Sequence, residues 1–205
     1  MLKNIFFELT SKYTHEQQLI QILWEEIEKK YSHSSRHYHT LTHLESLILQ
    51  LEEVKEQISD WDTVLFAVFY HDIVYKATKS NNEEKSAELA AKRFSEINFH
   101  QKKITVCTSM ILATKNHLQT GDADTDLFTD ADLSVFGQSW HQYETYLKQI
   151  RKEYSIYPDI IYKPGRKKVL THFLEMSRIY KSKYFYEKLE IKAKENLLRE
   201  LKLLT

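Results

Sequence analysis

The sequence predicts an all-helical protein. Its 205 residues include three glycines and two prolines, far fewer than the turns of an all-β fold or a phosphate-binding glycine loop require. Apolar residues recur at helical spacing along most of the chain, which indicates long helices joined by short connections. The length suits one well-filled core, so we expect a single domain over residues 1–205, in which the last helices, about 166–203, can form an appended cap.

Caps and apolar periodicity predict the helices of the N-terminal half. Thr14 begins a capping-box motif, and an amphipathic helix is expected after it. Leucine and isoleucine then repeat at i, i+3, i+4 and i+7 after His43, which places this histidine near the start of the next helix. Apolar positions surround the helix predicted at 61–75, so a central, buried helix is expected there, capped by Ser59 or Asp60.

Two loops and five further helices are predicted in the rest of the chain. A polar loop over 76–82 follows the buried helix directly. The segment 118–129 is also polar and carries one glycine and three aspartates, so it is predicted as a loop. Helical periodicity predicts the remaining helices at 83–97, 102–117, 139–154, 166–180 and 184–203.

Charge and cysteine content restrict the partners and the compartment. The formal net charge is zero, which gives no long-range attraction to a nucleic-acid polymer or an anionic membrane. No apolar run approaches the ~20 residues of a membrane-spanning helix, and the N-terminus lacks a signal-peptide cleavage region. Cys107, the single cysteine, fits a reducing compartment and is expected to be a small buried hydrophobe. We therefore expect a cytoplasmic protein, and a homodimer is left open.

Three segments combine histidines with aspartates. They are YHTLTH, with His39 and His43; YHDIVY, with His71 and Asp72; and DADLS, with Asp132. Their imidazole nitrogens and carboxylate oxygens form a ligand set that suits Mn, Fe, Co, Ni or Zn. His71 and Asp72 lie in an apolar stretch, where an ionised carboxylate is costly to bury unless a cation pairs with it. The sequence therefore predicts a buried metal site.

Two of these segments have alternative interpretations. His39 and His43, four residues apart, can share one helix face and point into one pocket, although such a pair alone is also typical of solvated histidines near a helix start. The histidine–aspartate pair in the buried helix favours the pocket. Asp130 is expected to be the N-cap of the short helix that follows it.

The order His, His-Asp, Asp on consecutive helices resembles the signature of the HD superfamily of metal-dependent phosphohydrolases. The similarity extends over nearly the whole chain, and RHYHTLTH, FYHDIVY, NEEKSAELA, DADLSVFG, IRKEY and PGR look like a bacterial branch of predicted phosphohydrolases. The resemblance implies metal ligands at His43, His71, Asp72 and Asp132, with His39 as proton donor to the leaving oxygen. The implied cofactor is a divalent cation, one of Mn, Fe, Co, Ni, Zn or Mg.

The segments YHTLTH and ADLS also resemble motifs of the cyclic-nucleotide phosphodiesterases. Those enzymes carry an asparagine after the first histidine, where this chain has Thr40, and no counterpart of their purine-binding glutamine can be located. The resemblance therefore implies hydrolysis of a phosphomonoester or phosphodiester of a small molecule, which can be a nucleotide. The expected chemistry is attack by a metal-activated water that Asp72 holds in line, while His39 protonates the departing alkoxide.

Further residues are candidates for contacts to a metal-bound water or to the substrate. Glu83 either reaches such a water or is a first-turn carboxylate that favours the helix dipole. His117 is a second-metal ligand, a phosphate contact or a solvated helix-terminal residue. Four cations are candidate phosphate contacts, each also typical of a surface charge: Arg36, Lys115, Arg151 and Arg166. The basic run 163–168 is either a solvated helix start or a loop that closes over an anionic substrate.

Two other classes of function compete with the phosphohydrolase. Some relatives of this fold hold two irons and perform oxygenation, with two additional histidines between the His-Asp pair and the last aspartate. The chain has His100 and His117 in that interval, although His100 is expected in a loop between helices. The third class is a non-catalytic module that senses a nucleotide or a metal, and the intact ligand set argues against it.

Overall fold

The computed structural model describes residues 1–204, and these form helices and connecting loops without a strand. The predicted all-helical class is therefore confirmed. The chain divides into two compact units, Met1–Thr129 and Asp130–Thr205, while the expectation of one domain stays a prediction. None of the described helices combines the length and the apolarity that a membrane crossing requires.

Seven helices begin in the first unit. They are α1 (Leu2–Thr10), α2 (Gln17–Tyr31), α3 (Leu41–Glu52), α4 (Trp61–Tyr70), α5 (Asn82–Glu96), α6 (Gln101–Ala113) and α7 (Ala123–Asp132), whose last three residues belong to the second unit. A short 3-10 helix, Lys55–Gln57, separates α3 from α4. Helix α4 contacts α3, α5 and α6.

Helix α4 is apolar on every side and is buried accordingly, as predicted. Residues 63–70 are all buried, and the rings of Phe66 and Tyr70 lie 4.8 and 4.9 Å from the ring of Phe94 on α5. Asp60 caps the helix, since its carboxylate accepts the N–H of Thr63 at 3.2 Å.

The helix ends at Tyr70, five residues before the predicted end at residue 75. Side chains from other helices take the backbone N–H groups that would have continued it. The N–H of Asp72 donates to the Tyr31 hydroxyl at 3.2 Å, and that of Val74 donates to the Ser86 hydroxyl at 3.1 Å. His71 is consequently the C-cap of α4 rather than a residue within it.

The N-terminal helix α1 was not among the predicted elements. Its apolar face is buried, and the Phe6 ring packs edge-on against the Phe69 ring of α4 at 5.1 Å. The predicted capping box at Thr14 is wrong, because the helix begins at Gln17 and the Thr14 hydroxyl instead accepts the N–H of Glu16.

The predicted loop at 118–129 is also wrong, because α7 occupies its second part. Two of its three aspartates accept hydrogen bonds that favour the helix start. Asp122 accepts the N–H of Thr125 at 2.8 Å, as an N-cap does, and Asp126 accepts the N–H of Thr120 at 2.9 Å. Asp124 accepts two backbone N–H groups at the start of α4. Carboxylates in a first helical turn are further stabilised by the helix dipole.

The second unit contains a 3-10 helix, Leu133–Gly137, and three long helices. These are α8 (Trp140–Glu153), α9 (Asp159–Glu175) and α10 (Lys183–Leu203). Gly137 allows the 3-10 helix to approach α10 closely, since a Cβ atom there would lie 2.5 Å from the Leu189 Cβ. Helix α8 begins with a capping box between Ser139 and Gln142.

Helix α9 begins seven residues before the predicted start at residue 166. Pro164 and Gly165, which the prediction placed before the helix, lie inside it. A proline in the second turn removes one backbone hydrogen bond, and the helix continues on both sides. The basic run 163–168 is therefore helical, and the interpretation of a closing loop is wrong.

Asp130 is not the N-cap of the short helix that follows it. It is fully buried, and its carboxylate accepts the N–H groups of Lys181 at 3.0 Å and Ser182 at 2.7 Å. The Lys181 ammonium lies 2.9 Å from the same carboxylate. Asp130 therefore stabilises the start of α10, whose N-cap is Ser182.

Candidate metal centre

Three side chains converge at the ends of three helices. His43 is in the first turn of α3, His71 caps the end of α4, and Asp132 is the last residue of α7. Each offers one ligand atom, and these atoms lie within 4.8 Å of one another. On α7 the Phe128 ring, one turn before Asp132, contacts the His71 ring at 5.8 Å. Both histidines are buried, with 7% and 1% of their surface exposed.

One hydrogen bond fixes the tautomer of His71. Its Nδ1 atom lies 2.9 Å from the carbonyl oxygen of Val68, one turn earlier on α4. A carbonyl oxygen only accepts, so Nδ1 carries the proton and donates it. The lone pair of Nε2 is thereby available to a metal, in the arrangement that metal-binding histidines adopt.

The spacing of the two imidazoles fits a shared cation. The Nε2 atoms of His43 and His71 lie 3.3 Å apart. Two nitrogens about 2.0–2.1 Å from one ion, at angles between octahedral and tetrahedral, lie about 2.8–3.4 Å apart. The observed distance falls within that interval.

The carboxylate of Asp72 contacts the same nitrogen. Its Oδ2 atom lies 3.1 Å from the Nε2 atom of His71, and its side chain is 16% exposed. A carboxylate oxygen and a nitrogen lone pair repel each other unless a proton or a metal ion lies between them. The carboxylates of Asp72 and Asp132 thus place two negative charges beside two imidazoles. A divalent cation would neutralise these two charges.

His39 lies near this group, but the reason differs from the predicted one. Helix α3 begins at Leu41, after the extended N-cap Thr40, so His39 precedes the helix and shares no helix face with His43. The expectation of a shared face is wrong. The His39 ring nevertheless lies 5.9 Å from the His43 ring, and its Nε2 atom is 3.8 Å from Oδ2 of Asp72.

Arg36 and two tyrosines bring His39 to this position. The Arg36 guanidinium donates to the carbonyl oxygens of His39 at 3.1 Å and Ile73 at 3.0 Å. It lies over the rings of Tyr31, at 4.7 Å, and Tyr75, at 5.6 Å. Arg36 is 7% exposed, so its interpretation as a surface charge is wrong. No spacing in the sequence indicates the two tyrosines, which lie on other segments.

Glu83, Lys115 and the remaining histidines lie outside the convergent group. Glu83 is in the first turn of α5, where the helix dipole favours a carboxylate. Lys115 pairs with Glu84, and this hydrogen bond raises the pKa of Lys115 above its ordinary value. His117 follows α6 with a positive φ of 51°, and His100 caps the start of α6. The convergent group among the described residues is His43, His71 and Asp132, so neither of these histidines supplies a further ligand to it.

Two arginines of the second unit, Arg151 and Arg166, form internal contacts. Arg166 is buried and makes a two-pronged ion pair with Glu200, at 2.7 and 3.0 Å. Its interpretation as a surface charge is therefore wrong. Arg151 pairs with Asp159 at 2.8 Å and donates to the Tyr157 carbonyl oxygen at 3.1 Å. Both guanidinium groups thus stabilise the second unit, and their assignment to the substrate stays a prediction.

The group of His43, His71 and Asp132 offers two nitrogen ligands and one oxygen ligand, and the Asp72 carboxylate lies beside it, 3.1 Å from Nε2 of His71. This set suits Mn, Fe, Co, Ni or Zn and leaves coordination positions for water or for an oxygen of a bound molecule. His39, next to Asp72, adds a group that can transfer a proton. No protein-family model matches this chain, and no curated protein or solved structure matches it either.

Proposed function

We propose that the protein binds one divalent cation through His43, His71, Asp72 and Asp132 and hydrolyses a phosphoester of a small molecule. The observation that carries this proposal is the His71 Nε2 atom, which has its lone pair directed at a second imidazole and at a carboxylate. The resemblance of the motifs to the HD superfamily supports the reaction class. A nucleotide is a suitable substrate, and the buried thiol of Cys107 fits a reducing, cytoplasmic environment.

The residues divide the reaction between them. A divalent cation held by these residues would lower the pKa of bound water to about 7 in favourable cases and would thereby supply hydroxide at neutral pH. Asp72 accepts a hydrogen bond from the attacking water and thereby orients that water. His39, whose Nε2 atom lies 3.8 Å from the Asp72 carboxylate, donates a proton to the departing alkoxide oxygen. Proton transfer of this kind contributes typically ~10²–10⁴-fold to the rate.

The first test is elemental analysis of protein purified without added metal. We expect about one transition-metal ion per chain, because the ligand set is complete. Asp72→Ala and His71→Ala should lose both the metal and the activity. The matched control is His100→Ala, which removes an exposed imidazole that caps α6. Full metal occupancy in Asp72→Ala and His71→Ala would overturn the ligand assignment.

The second test is a screen of phosphomonoesters and phosphodiesters against the metal-loaded protein. Release of phosphate or of the alcohol, abolished by a chelator and restored by the metal, is the expected result. A protein that holds iron in two redox states and hydrolyses none of these esters would instead support the oxygenase. Metal or nucleotide binding with neither activity would support the sensing module.

A further inference from the structure

Arg36 is a buried cation next to the candidate centre, and no carboxylate within the described part of the chain forms an ion pair with it. Burial of a charge is costly unless other groups compensate it. Here the compensation comes from two backbone carbonyl oxygens, 3.1 and 3.0 Å away, and from the faces of two tyrosine rings. The two hydrogen bonds use both terminal nitrogens of the guanidinium and hold it in one orientation.

The two carbonyl oxygens belong to the two irregular segments of the site. His39 precedes the N-cap of α3, and Ile73 follows the C-cap of α4. Because neither segment is helical, helix geometry alone does not set the distance between them. The guanidinium group of Arg36 donates to both carbonyl oxygens and thereby joins the segment of His39 to the segment of Asp72.

The tyrosines extend this connection to the reactive side chains. The Tyr31 hydroxyl accepts the backbone N–H of Asp72 at 3.2 Å. The Tyr75 ring stacks on the His39 ring, with centroids 4.1 Å apart and an angle of 32° between the planes. Arg36 lies over both tyrosine rings. The three residues Tyr31, Arg36 and Tyr75 therefore form one clamp around His39 and Asp72.

We propose that Arg36 is a positioning residue, which sets the distance and orientation of the His39 imidazole relative to the Asp72 carboxylate. The kinetic consequence of this proposal rests on the proposed function, whereas the position of His39 can be tested without it. In this proposal Arg36 acts on the reaction by holding His39 in place, and it does not contact a substrate phosphate directly.

Kinetics of Arg36→Lys provide the first test. An ammonium group has no planar fork that reaches both carbonyl oxygens at once. We expect the rate on an alkyl phosphoester to fall by about 10²-fold, the loss that a misplacement near 1 Å can cause, and the rate on an activated aryl ester to fall much less. The metal content should not change. The double variant Arg36→Lys/His39→Ala should be no slower than His39→Ala alone, because both changes remove the same step.

The control is Arg93→Lys, which alters another partly buried arginine of the first unit, paired with Glu26 and Glu96. It should leave the ratio of the two rates unchanged. Equal losses on both esters in Arg36→Lys, or loss of the metal, would assign Arg36 a general structural role and overturn the proposal. If Arg36→Lys does not fold, Arg36→Gln retains one planar donor and serves as the second variant.

An NMR measurement on metal-free protein tests the positioning without any activity. The stacked Tyr75 ring should shift the ring-proton signals of His39 upfield, and Tyr75→Leu should remove that shift. Arg36→Lys should move the same signals toward their positions in Tyr75→Leu, while the signals of His71, held by Val68, stay in place. Unchanged His39 signals would overturn the proposal. If the protein hydrolyses no phosphoester and the His39 signals move as expected, the proposed function fails and the positioning role stands.

Discussion

The carboxylate of Asp124 accepts the backbone N–H of Asp60 at 2.8 Å. The same carboxylate accepts the N–H of Ser59 at 2.9 Å, so the first turn of α7 is joined to the start of α4. These helices end beside two of the candidate ligands, since His71 caps α4 and Asp132 ends α7. The two hydrogen bonds therefore hold the first turns of α4 and α7 together, and each helix has a candidate ligand at its other end.

Asp124→Asn should destabilise the protein. Hydrogen bonds to a charged acceptor contribute about 1.5–3 kcal/mol each, and an amide oxygen retains part of that, so we expect a loss of about 1–3 kcal/mol in the free energy of unfolding. Urea denaturation measures it. Asp159→Asn, which alters a 63% exposed partner of Arg151, is the control and should cost about 0–1 kcal/mol. Equal unfolding free energies in the two variants would contradict this account.

His39→Ala should retain the metal and slow the reaction in proportion to the difficulty of the leaving group. A proton donor matters most for an alkoxide, so the rate on an alkyl phosphoester should fall by about 10²–10⁴-fold. An aryl ester whose phenolate departs unaided should lose much less. Metal loss, or equal slowing of both esters, would make His39 a ligand or a positioning residue.

Cys107 should be unreactive in the native protein. It is fully buried, and burial raises the pKa of its thiol well above the ordinary value, so that little thiolate is present or accessible. A thiol reagent should modify it at least about 10³-fold more slowly than in denaturant, since reaction requires local opening. Val106→Cys, at a neighbouring 44% exposed position, is the control and should react at once. Rapid modification of Cys107 in the wild-type protein would show that the packing around it is open.

The buried pair of Arg166 and Glu200 should stabilise the second unit as a pair. Arg166→Leu leaves the Glu200 carboxylate buried without its guanidinium, and we expect a loss of about 3–5 kcal/mol in the free energy of unfolding. The double variant Arg166→Leu/Glu200→Leu should recover much of that loss, because no unpaired charge remains. If Arg166→Leu keeps full stability and raises only the KM for substrate, the predicted role in substrate binding is the correct one.

Asp60 should contribute to the pH dependence of stability. Burial alone would raise the pKa of its carboxyl, but hydrogen bonds from Lys103 and Thr63 outweigh it and hold that pKa below its usual value. Near pH 3.9, which is about the usual pKa of an aspartate, the unfolded chain then binds more protons than the folded chain. The stabilisation by Asp60 is therefore present above that pH and is lost as the pH falls through the folded pKa.

Unfolding free energies measured between about pH 3 and pH 6 test this. Asp60→Asn, which retains an N-cap side chain, should show a smaller decrease in acid than the wild-type protein. Lys103→Gln should show part of the same change, because it removes one of the two hydrogen-bond partners. A wild-type pH slope in Asp60→Asn would exclude this carboxyl as a source of the acid sensitivity.

The sequence by itself determined the helical class and the bounds of several helices. The predicted helices at 83–97, 139–154 and 184–203 agree with α5, α8 and α10 to within one residue at each end. These helices are determined by their capping residues and by the spacing of their apolar residues, which are both local features. A short stretch of sequence is therefore enough to predict each of them. The candidate ligands His43, His71 and Asp132 were also expected from the sequence, from their residue types and from the resemblance of the motifs that contain them.

The tertiary structure alone decided where α4 ends and why His39 reaches the candidate centre. Both depend on a hydrogen bond between distant segments, Tyr31 to Asp72 across 41 positions and Arg36 to Ile73 across 37. Such bonds form only after the helices have packed, and a backbone N–H or carbonyl group has the same chemistry in every residue. No pattern in the sequence therefore indicates which distant side chain will form a hydrogen bond with a given backbone group.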